Sequence, residues 1–233
     1  MRKYLVLFII LFLFNGCGKR YEDHSIKSKT ASMEEKFYFT MDAGKKKDRE
    51  SVPILLEYLK DKNEDPQVRR NSVWALMKIR DMRAIDPLIE GLKDDNIALA
   101  SATALGNLED KKAVDPLINC LDSKDIMLKG NCISSLGNLR DNRAVKPLVT
   151  CLHDKNKRIR SAACYSLGEI GSKKAVDALI EMLKDEKPDV REMAIVALGK
   201  IGDKKAVIPI KKLTEDSDNN VRETAKEIIE KLK

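Results

Sequence analysis

The chain has 233 residues, of which 43% are hydrophobic, 35% are charged and only 5% are aromatic. This composition excludes a multispan membrane protein and a chain that is disordered throughout, and the scarcity of aromatic residues favours helices over strands. The net charge of +7 is spread along the chain rather than gathered in one segment, which argues against a nucleic-acid partner.

The start of the chain has the features of an export signal. A basic start precedes an apolar run, residues 4–14, which is too short to cross a bilayer but has the length found in signal peptides. Gly16 and Cys17 then match the end of the lipobox, so the segment resembles a bacterial lipoprotein signal peptide. Phe14 and Asn15 depart from the usual lipobox pattern.

The resemblance implies that residues 1–16 are removed and that Cys17 carries the lipid chains that anchor the protein to a membrane. Residues 17–32 would then form a lipidated tether, since they are mostly polar and lack periodicity. The expected location is the bacterial cell envelope, outside the cytoplasm. Gly18, rather than Asp, favours the outer membrane if the cell has one. A plain secretory signal and an uncleaved anchor remain the alternatives.

Residues 33–50 are predicted to form an entry helix and a loop. Ser32 and Glu35 have the spacing of a capping box at a helix start, and Gly44 is expected to end the helix. Three apolar side chains share one face by their spacing of four residues: Met33, Phe37 and Met41. We expect this helix to cover the first unit of the remaining chain.

Residues 51–233 contain one pattern repeated six times. Each unit has an apolar stretch, such as 112–121, followed by a second stretch of twelve positions in which positions 1, 5, 8, 9 and 12 are apolar or small. Both spacings are typical of helices, which we call the A and B helices of units one to six. The B stretches begin 29, 31, 31, 31 and 31 residues apart, at Val68, Ile97, Leu128, Ile159, Val190 and Val221.

This pattern resembles the HEAT-like repeat of the phycobilisome-lyase type over residues 51–233. The resemblance implies an all-α fold, a right-handed α-solenoid of about six two-helix units, with the B helices on the concave side. Glycine recurs at B position 10, where it serves close packing or loosens the helix end, at Gly106, Gly137, Gly168 and Gly199.

The resemblance further implies an internal ladder between B position 2 and the turn that leads into the next A helix. The arginines at position 2 are Arg69, Arg160, Arg191 and Arg222. The aspartates of the turn, which are also expected to cap the next A helix, are Asp81, Asp110, Asp141 and Asp203. Ala98 and Lys129 replace the arginine in units two and three. We expect these residues to be structural rather than ligand-binding.

No catalytic or metal-binding motif is recognisable, so the sequence predicts no catalytic residue, cofactor, metal or small-molecule substrate. Besides Cys17, the chain has Cys120, Cys132, Cys151 and Cys164. We expect four free thiols. Cys120 and Cys151 occupy equivalent places in neighbouring units, about 8–10 Å apart, whereas a disulfide needs Cα atoms closer than about 7 Å.

Helix geometry predicts a binding surface. If positions 1, 5, 8, 9 and 12 face the core, positions 3, 7 and 11 of the B helices form an exposed row, which we call the B-helix stripe. Candidate binding residues on it are Trp74, Leu99, Thr103, Asn107, Ser134, Asn138, Tyr165 and Val196. The alternative is that Trp74 packs against the entry helix and that the asparagines are merely solvated.

These features favour a non-enzymatic, lipid-anchored scaffold that binds a protein or peptide on its concave face. A bilin lyase or isomerase-like enzyme, the activity attached to the repeat family, is one alternative. An assembly or maturation factor for an envelope complex is another.

Overall fold

The computed structural model describes residues 31–232, and within this range the chain forms thirteen α-helices and no strands. The entry helix is α1 (Met33–Lys46). The A helices are α2 (Val52–Lys60), α4 (Ile85–Gly91), α6 (Val114–Asn119), α8 (Val145–Cys151), α10 (Val176–Met182) and α12 (Val207–Lys212). The B helices are α3 (Pro66–Ile79), α5 (Ala98–Leu108), α7 (Ile126–Leu139), α9 (Lys157–Ile170), α11 (Pro188–Ile201) and α13 (Asn219–Leu232). The predicted α-solenoid is therefore confirmed.

Polar side chains and left-handed residues set the helix ends. Asp65 and Asp125 accept hydrogen bonds from the first backbone N–H groups of α3 and α7. These two helices end at Arg80 and Arg140, whose positive φ angles turn the chain out of the helix. A short 3-10 turn then leads into each of the next A helices.

The turn aspartates cap these 3-10 turns, as expected from the sequence. Each carboxylate accepts a hydrogen bond from the backbone N–H two residues later, and this holds at Asp81, Asp110, Asp141 and Asp203. The N–H···O distances lie between 2.8 and 3.0 Å. The aspartates therefore fix the geometry of entry into the A helix.

The entry helix differs in two ways from the prediction. Its capping box between Ser32 and Glu35 is present. However, the helix continues past Gly44 to Lys46, because Gly44 packs against α3 instead of ending the helix. The buried face is also a different one, since it contains Thr40, Ala43 and Gly44, while Met33 is 55% exposed.

This helix occupies the place of an additional B helix. A Cβ atom on Gly44 would lie 2.9 Å from the Cα of Ala75, which is B position 8 of unit one. Gly106 meets position 8 of the next unit in the same way, at the Cα of Ser135, 2.7 Å away. The repeated packing therefore begins at α1, which covers the edge of unit one.

From unit two to unit five, each B helix approaches the next one so closely that position 10 is a glycine, whereas unit one has Met77 at this position. A Cβ atom on Gly168 would lie 2.8 Å from the Cα of Ala197, and one on Gly137 would lie 3.0 Å from the Cα of Ser166. The glycines thus serve close packing. Successive A helices instead meet mainly through the short turns between them. We infer that the more tightly spaced B layer lies on the inside of the curve.

No helix within residues 31–232 has the length and apolar character needed to cross a bilayer. The predicted signal peptide and Cys17 lie outside the described residues.

Candidate binding surface

The internal ladder exists, but its acidic partners are not the predicted ones. Arg160 Nε lies 2.7 Å from Asp185 Oδ2, and Arg191 Nη2 lies 2.6 Å from Asp216 Oδ1. These aspartates belong to the turn between the A and B helices of the following unit. In unit three, Lys129 takes the role of arginine. The first two rungs are Lys36–Glu64 and Arg69–Asp94, and the third is Lys129–Asp154.

The predicted partners are wrong because position 2 lies near the start of the B helix, whereas Asp81, Asp110, Asp141 and Asp203 follow its end. Two of these aspartates instead bind the arginine two residues later, in the pairs Asp81–Arg83 and Asp141–Arg143. Arg222 lies in α13, and the described range contains no further turn between an A and a B helix after it. Its guanidinium group donates to the carbonyl groups of Asp216 and Ser217.

Each ladder arginine also donates hydrogen bonds to backbone carbonyl groups of its own unit, at the end of the A helix or in the turn that follows it. Arg160 Nη1 donates to the carbonyl oxygens of Asp154 and Lys155, and Arg69 donates to the carbonyl of Leu59. Burial by itself raises the pKa of Asp185, but hydrogen bonds from Arg160 and from the Lys187 backbone outweigh burial, so the pKa is lowered. The pairs are therefore structural, since guanidinium, carboxylate and carbonyl groups already bond to one another.

One rung is missing, between units two and three. Ala98 stands where the arginine should be, and Ser123 stands where the aspartate of the next turn should be. Helix α5 is also short, with 11 residues against 14 in α7. Leu128, at position 1 of α7, is only half-buried, although Val68 and Ile159 at the same position are fully buried.

Unit three contains a disulfide, so the prediction of four free thiols is wrong. Cys120 follows α6, and its sulfur bonds to that of Cys132 in α7, with the Cα atoms 6.3 Å apart. The prediction compared equivalent cysteines in neighbouring units. The relevant contact is within one unit, where the residue at the position of Cys120 faces B position 5. Gly91 and Ser101 meet in the same way in unit two.

The other two cysteines of residues 31–232 are free and buried. Burial raises the pKa of the Cys164 thiol to about 12 and also raises that of Cys151. Because the thiolate is the reactive form, neither side chain is suited to nucleophilic or redox chemistry in the folded protein.

The B-helix stripe lies on the surface. Leu99 is 38% exposed and Tyr165 is 41% exposed, while Val196 is half-buried. The exposed polar members are Thr103, Asn107, Ser134 and Asn138. Asn107 donates one amide hydrogen to the carbonyl of Thr103, which leaves its amide oxygen and a second hydrogen for a ligand.

Trp74 is the stripe residue that packs against the entry helix. A Cβ atom on Gly44 would lie 2.4 Å from Trp74 Cζ3, so the absence of a side chain there makes room for the indole ring. The ring is half-buried, and the Lys78 ammonium lies 5.8 Å from its centre. Trp74 therefore joins α1 to α3 and contributes only part of its surface to the stripe.

Ion pairs occupy the stripe from unit four onward. Glu169 accepts hydrogen bonds from Lys200 and, at 2.9 Å, from Arg140. The Lys200 ammonium also lies 4.5 Å from the centre of the Tyr165 ring. Hydrogen bonds from Lys200 and Arg140 lower the pKa of Glu169 and keep it charged. In contrast, the stripe carries no ionisable side chain in units two and three.

Sequence reasoning missed two exposed apolar residues beside this uncharged region. Ile126 and Met127 begin α7, and Met127 is 61% exposed. The signal was present in the repeat, because the other units have polar residues at the place of Met127: Gln67, Asn96, Arg158, Asp189 and Asn220. Within residues 31–232 no group of three or more His, Cys, Asp or Glu side chains could hold a metal ion.

The chain belongs to the HEAT-repeat family, whose pattern matches residues 34–99, 94–166 and 145–230. The first match includes the entry helix, which agrees with the B-like packing of α1. No curated protein matches the chain by sequence.

Solved structures share the fold. One is the complex of CpcE and CpcF of phycocyanin lyase from Nostoc sp. PCC7120, with a TM-score of 0.58, 21% identity, and coverage of 94% of this chain and 97% of that chain. Another is a designed armadillo repeat protein in complex with the peptide (KR)4, with a TM-score of 0.60, 18% identity, and coverage of 78% and 99%. At these identities the likeness shows the fold alone.

Proposed function

We propose that the protein is a non-enzymatic scaffold that is anchored by lipid at Cys17 and binds a protein or peptide on the B-helix stripe. The observation that carries this proposal is the exposed, uncharged middle of the stripe, presented on a rigid array of closely packed helices. Repeat solenoids commonly use such extended inner surfaces for binding. The designed relative with a bound peptide supports the same use of the fold.

The disulfide supports a location outside the cytoplasm. Disulfides persist in oxidising compartments such as the periplasm and are rare in the reducing cytosol. The Cys120–Cys132 bond therefore agrees with export directed by the N-terminal segment. The lipid anchor itself is proposed from the sequence around Cys17.

A lyase-like enzyme is the second candidate, because a phycocyanin lyase complex shares the fold over nearly the whole chain. This candidate requires reactive groups on the inner surface. Among the described residues the free thiols are buried, with raised pKa values, which favours the scaffold.

Site-specific photocrosslinking in intact cells tests the scaffold. A photoreactive amino acid replaces Asn138 on the stripe or, as the matched control, Lys146 on the outer helix α8, both of which are exposed. We expect a discrete crosslinked partner from position 138 and none from position 146. Crosslinking only from position 146 would contradict a stripe-based scaffold.

The same cells test the anchor through Cys17→Ser. The variant should lose metabolic labelling by fatty acid and move from the membrane to the soluble fraction, because it lacks the residue that carries the lipid. Unchanged labelling and membrane retention would refute the lipoprotein assignment while leaving the crosslinking result intact.

A further inference from the structure

The departures from the repeat converge on the junction between units two and three. Helix α5 lacks the first turn that the other B helices have, and the neighbouring rung is absent at Ala98 and Ser123. As a result, the first turn of α7 has less cover from α5, and Leu128 is only half-buried. In a repeat protein, irregularities that lower stability and gather at one place point to a function there.

An apolar surface lies at this junction. Leu99 projects from the start of α5, and Met127 projects from the start of α7 on the same face as Ser134, seven residues later. The two helices meet there, because the Asn131 amide reaches the carbonyl of Leu99 at 3.4 Å and Thr103 Oγ1 at 3.3 Å. We call the surface formed by Leu99, Met127, Gly130 and Asn131 the central patch.

Gly130 keeps the central patch open without being required for packing. A Cβ atom on Gly130 would meet only Ile159 Cδ1, at 4.0 Å, which is an ordinary contact. On Gly137, in the same helix, a Cβ atom would lie 3.0 Å from backbone of the next B helix. Gly137 is therefore explained by the fold, whereas Gly130 is not.

The charge distribution of the B-helix stripe indicates which kind of ligand suits it. Members of the B-helix stripe in units two and three are uncharged, while the ion pairs of Glu169, Arg140 and Lys200 lie at the border of unit four. A charged group lying along the stripe in these two units would lose water without meeting an opposite charge on the stripe, since the exposed charged side chains beside it, Lys124 and Asp125, stand at the edge of the central patch. Asn107 and Asn138 offer amide donors and acceptors that suit the backbone of an extended chain.

We propose that the central patch anchors an extended, uncharged peptide segment, which places one large apolar side chain against Leu99 and Met127. This inference rests on the proposed scaffold function and specifies its ligand. Methionine suits such a role because its flexible thioether adapts to the shape of the inserted side chain.

The disulfide prepares this surface for binding. It ties Cys132, in the second turn after Met127, to the end of the A helix of the same unit. The cross-link thus holds α7 where cover from α5 is reduced. A surface that is already ordered loses less entropy on binding. Cleavage of the disulfide bond by a dithiol, which becomes a cyclic disulfide and leaves two thiols on the protein, should therefore weaken binding.

The test uses fluorescent ten-residue peptides of Ser, Thr, Asn and Gln with Leu or Phe at the centre. Fluorescence anisotropy compares them with peptides in which the central residue is Ser, or in which flanking residues are Lys or Asp. We expect the neutral peptides with an apolar centre to bind at least tenfold more tightly than both other sets. Binding should weaken several-fold after reduction.

Variants assign the binding to the central patch. Met127→Gln, which introduces the residue of unit one, and Leu99→Ser should each lower affinity at least fivefold. Ile208→Gln removes an apolar side chain that is 72% exposed on α12, and should leave affinity unchanged. Circular dichroism should show equal helix content in all variants.

The results separate this inference from the scaffold proposal. If no neutral peptide binds better than its Ser-centred partner, or if Met127→Gln and Leu99→Ser bind like the unmodified protein, the inference is refuted. The scaffold function would still stand if the crosslinker at position 138 captured a partner. Peptide binding that depends on Met127 would support the inference even if crosslinking in cells failed.

Discussion

Units four to six differ from the junction between units two and three in how neighbouring units are joined. In the last three units the B helices are 14 residues long, and Arg160–Asp185 and Arg191–Asp216 tie each unit to the next. At the junction the helix α5 has 11 residues, and the charged rung is replaced by Ala98 and Ser123. Only the junction is adjacent to a disulfide within the described residues.

The comparison shows how a solenoid can carry a local irregularity. Stability is a sum over units and neighbouring interfaces, so a weak interface does not weaken the distant ones. The Cys120–Cys132 cross-link lies close to the missing rung, but it joins the two helices of unit three rather than units two and three. The regular units act as support, while the irregular junction is free to expose apolar side chains for binding.

Removal of an intact rung should have the largest effect. Arg160→Ala leaves the nearly buried Asp185 carboxylate without its partner and the carbonyl groups of Asp154 and Lys155 without donors. We expect a loss of about 2–4 kcal/mol in the free energy of unfolding, measured by urea titration. Arg158→Ala, at an exposed site in the same helix, should change it by less than about 0.5 kcal/mol.

The pH dependence of stability should show the contribution of the same ion pair, Arg160–Asp185. The pKa of Asp185 is lowered in the folded protein, so its contribution is present above the unfolded pKa, near 4, and is lost as the pH falls through the folded value. Unmodified protein should therefore lose more stability between pH 7 and pH 3 than Arg160→Ala does. Equal losses would show that the rung does not act as an ion pair.

Reduction of the disulfide should have the next largest effect, and a local one. The bond closes a loop with a sequence separation of 12, for which chain entropy predicts about 2–3 kcal/mol. Hydrogen exchange of α7 amides should accelerate with dithiothreitol, while that of α11 amides should not. The control is Cys120→Met with Cys132→Ala, which copies Met182 and Ala194 of unit five and should not respond.

Counting thiols checks the same bond directly. If Cys17 carries lipid as proposed, the denatured, unreduced protein should show two reactive thiols, from Cys151 and Cys164. A count of four would mean that the disulfide is absent and that α7 is not cross-linked to the A helix of its own unit.

The repeat period predicted the fold because apolar and small residues recur with the same helical spacing in all six units. It did not show that α1 acts as another B helix, because Glu35, Asp42 and Lys46 stand where the other units have apolar or small residues. Lys36 and Gly44 match the ladder position and the glycine position. The ladder partners were also missed. Spacing along one unit shows which residues recur, but the partner of Arg160 lies across a unit boundary, 25 residues later.

The candidate site was predicted in part. Position in the helix indicated the exposed residues of the B-helix stripe, such as Leu99 and Tyr165. It did not indicate that Trp74 is shared with the entry helix, which depends on the glycine opposite. Met127 was not predicted because it lies one residue before position 1 of the B stretch. An alignment of the six units shows that Met127 is apolar where the other units have polar residues.

Two glycines of α7 provide the smallest and sharpest comparison. Gly137→Ala places a Cβ atom 3.0 Å from the Cα of Ser166, so neighbouring B helices must separate, and we expect a loss of about 1–3 kcal/mol in the free energy of unfolding. Gly130→Ala meets only Ile159 Cδ1 at 4.0 Å. Because alanine orders a helix more readily than glycine, Gly130→Ala should gain about 0.5–1 kcal/mol. Urea titration of both variants gives opposite signs if position 130 is kept open for binding and position 137 for packing, whereas destabilisation by both would mean that Gly130 serves the fold.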